Sequence, residues 1–319
     1  MPKVLLTGAG GFVGSAVARA LLARGDRVLG LDFGPNAGAL DAIGAEFPGF
    51  TAIVADICDA DAIEATFARH APDAVIHCAA IVGVLASLAS PARLLHVNIE
   101  GSVNLFQAMA RHGCRRVIHI SSEETYGDFL APRIDETHRQ SPLHAYGISK
   151  MAVEQLGRSY RATHGLECIN VRTSWVYGPG FPRDRVPLNM IRAAAEGRAL
   201  HVPGGAEERI DHTYLDDAVT GILGAIDCDD HPFDAYHIAS DSAPSLAEIA
   251  DVVRDLVPGA DISVGPGPYL HGGDTAMPRK GALDCTRARQ SFGYRPRFDI
   301  KRGLAATLEA HRAALAAQD

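Results

Sequence analysis

Short β-branched runs alternating with helical patterns, a glycine-rich turn after the first run and an aspartate ending the second together predict an α/β fold. The form expected is a Rossmann-type doubly wound parallel sheet with a smaller C-terminal substrate-binding lobe. Parallel neighbours need crossover helices, which cover both faces of the sheet. At roughly 100–200 residues per domain, 319 residues suit two units. Residues 1–178 read as the dinucleotide-binding domain, to which segments near 211–240 return. Residues 179–319 read mainly as the substrate lobe.

The elements follow in order. Val4–Thr7 reads as a buried strand, Phe12–Ala23 as a helix, Arg27–Asp32 and Phe50–Ala55 as further strands. The helix Ala60–His70 leads to a strand at Ala74–His77. Pro91 suits a first helical turn and Gly113 a helix end, so Pro91–His112 is one long helical stretch before the strand Arg116–Ser121. A helix over Ala145–His164 and the strand Glu167–Arg172 continue the sheet. After Tyr177-Gly178-Pro179-Gly180 the chain carries more Pro, Gly and charge in shorter elements, through Gly281. Asp216–Ile226 and Phe233–Ala239 are apolar enough to return to the core.

Composition narrows the function. The chain is 47% apolar, so it is neither disordered nor collagen-like, and its 32 glycines, against a usual share of roughly 7%, must serve turns and close backbone approaches. A net charge of −8 without a basic stripe excludes a nucleic-acid partner. The six cysteines are scattered singly, which points to free thiols in a reducing compartment and to no metal site. No apolar run approaches the length of a membrane span and no leader pattern opens the chain, so the expectation is a cytoplasmic protein acting on a small molecule.

Thr7-Gly8-Ala9-Gly10-Gly11-Phe12-Val13-Gly14 falls at the first strand-to-helix turn. Amides at a helix N-terminus attract anions, and glycines let a pyrophosphate approach the backbone. The spacing G-x-G-x-x-G fails, because its last position is Val13; G-x-x-G-x-x-G fits at Gly8, Gly11 and Gly14. Asp32, ending the second strand, suits the adenosine ribose hydroxyls, and Phe33-Gly34-Pro35 offers no cation for a 2′-phosphate. The cofactor expected is NAD rather than NADP.

Tyr146 and Lys150 are four residues apart and share one helix face. An ammonium beside a phenol favours the phenolate and makes it a usable proton acceptor. Ser122, after the strand Arg116–Ser121, is placed to hydrogen-bond the same substrate oxygen.

With the glycine loop and Asp32, the segments Asp56-Ile57, His77-Cys78-Ala79-Ala80, Asn98, Ser121-Ser122, Tyr126-Gly127 and Tyr146…Lys150 occur in the order seen in extended short-chain dehydrogenases/reductases. Arg172 with Val176-Tyr177-Gly178-Pro179, and Arg209 with Asp216-Asp217, extend that likeness over nearly the whole chain. More narrowly the sequence resembles the NAD-dependent epimerase/dehydratase group. The resemblance implies that Gly8, Gly11, Phe12, Val13 and Gly14 cradle the pyrophosphate and Asp32 the ribose. It implies that Asp56 and Ile57 meet the adenine and that Ala79 and Ala80 line the cofactor channel. Tyr146 would be the acid/base, Lys150 would hold the nicotinamide ribose and lower the tyrosine pKa, Ser122 would orient the substrate hydroxyl, and Asn98 would support the helix bearing Lys150. It also makes a homodimer plausible, through the helices Pro91–His112 and Ala145–His164.

The stretch Ser122-Glu123-Glu124-Thr125-Tyr126-Gly127 discriminates among chemistries. Sugar-nucleotide dehydratases resemble Thr-Asp-Glu there, which sets Glu123 and Glu124 on the acidic positions. One carboxylate would remove the α-proton beside a ketone and the other would protonate a leaving hydroxyl. For substrate recognition, Arg209 and Arg279 match or approach positions that contact a diphosphate in relatives. Trp175 stands where nucleotide-diphosphate binders often carry Asn, and an indole stacks rather than replaces an amide. The leading expectation is a sugar-nucleotide epimerase or dehydratase working by transient oxidation on an anionic substrate. Net oxidation of a small sugar, sugar acid or polyol, and a non-catalytic NAD-binding regulator, are the alternatives.

Overall fold

The computed structural model describes residues 2–272 and 274–317. Seven parallel strands form the central sheet: β1 (Lys3–Thr7), β2 (Arg27–Asp32), β3 (Phe50–Val54), β4 (Ala74–His77), β5 (Arg116–Ser122), β6 (Glu167–Thr173) and β7 (Ala235–Ile238). Their spatial order is β3-β2-β1-β4-β5-β6-β7. The chain reverses direction across the sheet between β1 and β4, which opens a crevice at their C-terminal ends.

Successive side chains on each strand enter opposite layers. Val4 and Leu6, with Ile76, Ile118 and Ile169, pack under the helices Phe12–Ala23, Ala37–Glu46 and Leu215–Asp227 through Val17, Leu21, Leu40, Ile43 and Ile222. Leu5, Leu29, Val75 and Val117 face the other way. They pack on Ile63, Phe67, Leu105, Met109 and Val153 of the helices Ala60–His70, Gly101–His112 and Ala145–His164. With both faces covered, the strands are near-continuous apolar runs, as parallel sheets require.

A separate cluster builds the lobe. Leu188 and Ile191, Leu246, Ile249 and Val253, and Leu304 and Leu308 come together from the helices Leu188–Ala195, Leu246–Leu256 and Ile300–Ala316. Trp175 and Tyr177 belong to this cluster. Their short strand Trp175–Tyr177 pairs in parallel with His212–Tyr214. The helix Leu215–Asp227 and strand β7 return to the sheet, as the apolar runs at Asp216–Ile226 and Phe233–Ala239 required.

Three local features differ from the sequence reading. The stretch Pro91–His112 is not one helix: Pro91–Leu95 and Gly101–His112 are α-helical and His96–Glu100 forms a π turn between them. The wider turn carries Asn98 inward, where Oδ1 accepts from the Ile81 amide at 2.8 Å and Nδ2 donates to Ile81 O and Ser149 Oγ, both at 3.0 Å. Helices also form at Ala37–Glu46 and Val84–Ala89, where glycines and short length blurred the periodicity. Strand β5 runs through Ser122, so the serine is held by the ladder itself. Among the described residues no helix is long and apolar enough to cross a membrane.

Candidate active site

A cleft of about 1350 Å³ lies over the C-terminal ends of the sheet strands, with the lobe as its far wall. Its near end is built by the glycine turn. Gly8 has φ +72°, and a Cβ there would stand 2.7 Å from Ala79 N; one at Gly14 would stand 2.0 Å from Gly8 O. Only glycine permits these approaches, and they leave the head of the twelve-residue helix Phe12–Ala23 bare, with no side chain capping its amides. Such a turn fits a pyrophosphate. Asp32 is buried at the end of β2, its two oxygens taking the Gly10 amide at 2.8 Å and the Phe33 amide at 2.7 Å. Gly10 was absent from the sequence-derived set, although it stood within the loop; its amide fixes the orientation of the ribose-binding candidate. Asp56, Ile57, Ala79 and Ala80 also line this end.

The middle of the cleft gathers Ser122, Tyr146 and Lys150, all buried. Ser122 Oγ accepts from the Glu124 amide at 3.2 Å. A Cβ at Gly147 would stand 2.2 Å from Glu124 O, so the first turn of the tyrosine helix presses directly on the Glu123–Thr125 turn. Lys150 Nζ donates to Ile120 O at 2.7 Å and lies 5.9 Å from the Tyr146 ring centroid. Burial lowers the Lys150 pKa to about 8. Burial pushes Tyr146 up to about 12, against its hydrogen bond with Ser122 and the charges of Arg183 and Arg185, while Glu124 adds to the rise. In the protein by itself desolvation dominates at the phenol, and the Lys150 ammonium is engaged by a backbone carbonyl.

Glu123 and Glu124 line the same cavity. Glu123 is 1% exposed, and neither of its carboxylate oxygens has a hydrogen-bond partner among the described residues. Its pKa rises to about 7 through burial, opposed by Lys280 and reinforced by Glu124 and Asp211. Lys280 was not recognised from the sequence; its Nζ stands 3.3 Å from Glu124 Oε1 and 3.9 Å from Glu123 Oε1.

On the lobe side the cavity is lined by Trp175, Arg183, Arg185, Tyr269 and His271. The Arg185 guanidinium lies 4.3 Å from the Trp175 ring centroid and 4.9 Å from that of Phe181. Neither Arg183 nor Arg185 has an acidic partner within ion-pair distance among the described residues, and burial lowers the Arg185 pKa to about 10. These two cations line the cavity, whereas the pair expected from the sequence, Arg209 and Arg279, does not. Arg209 is exposed outside the cavity, where its guanidinium meets the Glu248 carboxylate at 3.1 Å, and Arg279 is exposed with Nε on Phe129 O at 2.8 Å. Glu248 is fixed as the N3 member of a capping box with Ser245, so it stands ready to hold Arg209 outward. Asn98 also lies outside the cavity wall and reaches the lysine helix through Ser149. His77 is buried between Thr7 Oγ1 at 2.7 Å and Ser102 Oγ at 2.9 Å, a structural setting. Among the described residues no cluster of His, Cys, Asp or Glu has the form of a metal site.

Behind the Glu123–Thr125 turn, Glu154 and Arg172 form a buried pair. Arg172 Nε and Nη2 donate to the two Glu154 oxygens at 2.9 and 2.6 Å, and Ser121 Oγ donates to Oε1 at 2.6 Å. Arg172 Nη1 also donates to Tyr126 OH at 2.6 Å, which ties β6 to the segment after Glu124.

A doubly wound sheet with a glycine turn, a strand-end aspartate and a Ser-Tyr-Lys centre defines a dinucleotide-dependent enzyme of the extended short-chain dehydrogenase/reductase class. The chain belongs to the NAD dependent epimerase/dehydratase family, whose model matches residues 4–239. A dTDP-glucose 4,6-dehydratase from Streptomyces antibioticus is 31% identical to it over 319 residues, covering 97% of this chain and 92% of the relative. A UDP-glucose 4-epimerase from Mycolicibacterium smegmatis is 30% identical over 318 residues, covering 97% and 98%. The crystal structure of a UDP-glucose 4-epimerase with UDP-glucose from Thermotoga maritima superposes with a TM-score of 0.83 at 26% identity, covering 98% of this chain and 99% of that one.

Proposed function

We propose that this chain is an NAD-dependent sugar-nucleotide epimerase or dehydratase that works by transient oxidation of a sugar hydroxyl. The observation that carries the reading is the placement of Glu123 and Glu124 in one cavity wall with Ser122 and Tyr146. Residues 1–178 serve chiefly to hold the cofactor and residues 179–319 chiefly to hold substrate. Bound NAD supplies the hydride acceptor for the oxidation and the hydride for the return. Gly8, Gly11, Phe12, Val13 and Gly14 offer the amide-rich turn for its pyrophosphate, Asp32 its ribose contact, and Asp56, Ile57, Ala79 and Ala80 the walls of its channel.

Ser122 orients the substrate hydroxyl and Tyr146 takes its proton, with Arg183 and Arg185 favouring the phenolate. Once a ketone is formed, the proton on the neighbouring carbon becomes acidic. Glu124 is placed as the base for that proton. Arg183 and Arg185 give the cavity the positive charge that suits an anionic substrate.

A second reading is net oxidation of a small sugar acid or polyol. Trp175 in the cavity wall and Arg209 paired with Glu248 favour it, since both weaken the case for a diphosphate subsite. A purely NAD-binding regulator is disfavoured by the complete Ser122, Tyr146 and Lys150 set. Homodimerisation would use the stretch Pro91–His112 and the helix Ala145–His164, where Ile148 is exposed; sedimentation of the purified protein tests it.

The function is tested by NMR in D2O with a panel of nucleotide sugars and free sugar acids. Epimerisation or elimination of a nucleotide sugar supports the first reading. Turnover confined to oxidation of free sugar acids or polyols rejects it for the second.

A further inference from the structure

The side chain of Lys280 is fully buried, and its nearest charged neighbours are two carboxylates that follow one another in sequence. The fold puts it there by two contacts far along the chain. Strand Ala282–Leu283 pairs in parallel with Arg133–Ile134, and the Phe129 amide donates to Arg279 O at 2.8 Å. Lys280 Nζ also lies 5.4 Å from the Phe129 ring centroid and has no hydrogen-bond partner among the described residues beyond the carboxylates it pairs with. Two carboxylates and one ammonium, all buried, leave one negative charge in excess within ion-pair distance; Arg185, the further cation that acts on both carboxylates, stands beyond that distance. A single proton on one carboxyl makes the group neutral, and the low dielectric of the site favours that state.

The geometry decides which carboxyl keeps its charge. Glu124 is the nearer to Lys280, at 3.3 Å against 3.9 Å for Glu123, and is the more exposed of the two. Glu124 is also the carboxylate whose charge acts on Tyr146 and His271 across the cavity. Glu123 is more deeply buried, is faced by Glu124 and Asp211 as well as by Lys280, and lies beside Ser174. Glu123 lines the cavity, and its two buried oxygens have no hydrogen-bond partner among the described residues.

We propose that Lys280 is a positioning residue that divides the two neighbouring carboxyls into unlike roles, anchoring Glu124 as the carboxylate base and leaving Glu123 as the protonated acid. The proposal rests on the reading of the chain as an epimerase or dehydratase and specifies its elimination branch. In that step the Glu124 carboxylate takes the proton from the carbon next to the ketone. The C–H electron pair becomes the new C=C bond, the β C–O bond breaks, and its electrons leave with the oxygen. Glu123 gives that oxygen its proton and water departs. Glu124 ends protonated and Glu123 ends as carboxylate, so the step balances without oxidant or reductant. Lys280 then faces the same total charge before and after, which makes it suited to both ends of the step.

The test uses the NAD-loaded protein and its Lys280→Met, Lys280→Arg, Glu123→Gln and Glu124→Gln variants, with 13C-labelled glutamate side chains read by NMR across pH. In the wild type one carboxyl should be protonated at pH 6, and the resonance missing from Glu123→Gln should be that one; in Glu124→Gln, where Lys280 faces Glu123 alone, the Glu123 resonance should remain and titrate at lower pH. Lys280→Met should move the Glu123 titration further upward and shift the rising limb of α-proton exchange by at least one pH unit. Lys280→Arg should restore both toward the wild type. A Lys280→Met protein that remains folded, as read by its melting curve, yet titrates as the wild type overturns the proposal. So does a protonated signal that belongs to Glu124. If no substrate undergoes exchange or elimination, the functional reading fails while the carboxyl titration still decides the role of Lys280.

Discussion

Lys150 is bonded to the backbone of the neighbouring strand: its Nζ donates to the Ile120 carbonyl at 2.7 Å, within a site where the lysine is 4% exposed. One carbonyl does not replace the hydration of an ammonium, so burial draws its pKa down to about 8. In the unfolded chain the value is about 10.4, so between these limits the native state binds fewer protons than the unfolded state. The penalty of the buried charge is full below pH 8 and fades as pH rises toward 10. Lys150→Met should therefore stabilise the cofactor-free protein at pH 7, by at most about 3 kcal/mol, while abolishing turnover. The gain should shrink between pH 8 and 10 in urea denaturation. A variant less stable than wild type at pH 7 would contradict this.

The Glu154–Arg172 pair lies deeper and has the opposite sign. Loss of Glu154 leaves the Arg172 charge without a carboxylate in the core and the Ser121 hydroxyl without its acceptor. Glu154→Ala should cost about 3–5 kcal/mol in denaturant unfolding, the range for breaking a buried pair from one side. A cost below about 1 kcal/mol would mean that the pair is solvated in the native protein.

Arginines inside and outside the cavity should behave differently. Arg185→Met removes a cation stacked on Trp175 in the cavity wall and should raise KM for an anionic substrate at least about tenfold. Arg209→Ala removes only an exposed pair with Glu248, so KM should stay within about twofold and stability within about 1 kcal/mol. The reverse ranking in steady-state kinetics would show that Arg209 turns inward on substrate binding.

Gly14→Ala places a methyl against the Gly8 carbonyl, and both parties are backbone. The turn must open, and NAD affinity should fall at least about tenfold in a fluorescence titration, while far-ultraviolet circular dichroism shows an intact fold. Unchanged affinity would remove the glycine turn from the cofactor site.

Much of this site was legible because it is locally encoded. Asp32 closes a strand, Gly8 to Gly14 fill one turn, and Tyr146 and Lys150 share a face by helical spacing alone. Ser122 followed from the end of β5, and the Glu123-Glu124 dipeptide adjoins it. What pairs across the lobe was not legible. Lys280 reaches Glu124 through a two-residue strand pairing with no periodic signal. Arg183 and Arg185 stand in an irregular segment, where neither helical nor strand spacing marks a face. Arg209 falls in a motif, yet its side-chain direction is set by Glu248, a capping residue of the helix Leu246–Leu256. Sequence period reports which face a residue takes on its own element, and these three cases depend on a second element.

Oxidation undone within the same catalytic cycle leaves no reduced nicotinamide behind, so NADH reports on it directly. Purified NAD-loaded protein should be given its nucleotide-sugar substrate while product is followed by NMR and NADH by absorbance in the same sample. Many product molecules per enzyme with no net NADH is the result predicted for Tyr146, Glu124 and the returning hydride. One NADH released for each product molecule would contradict the account and make the protein a net dehydrogenase.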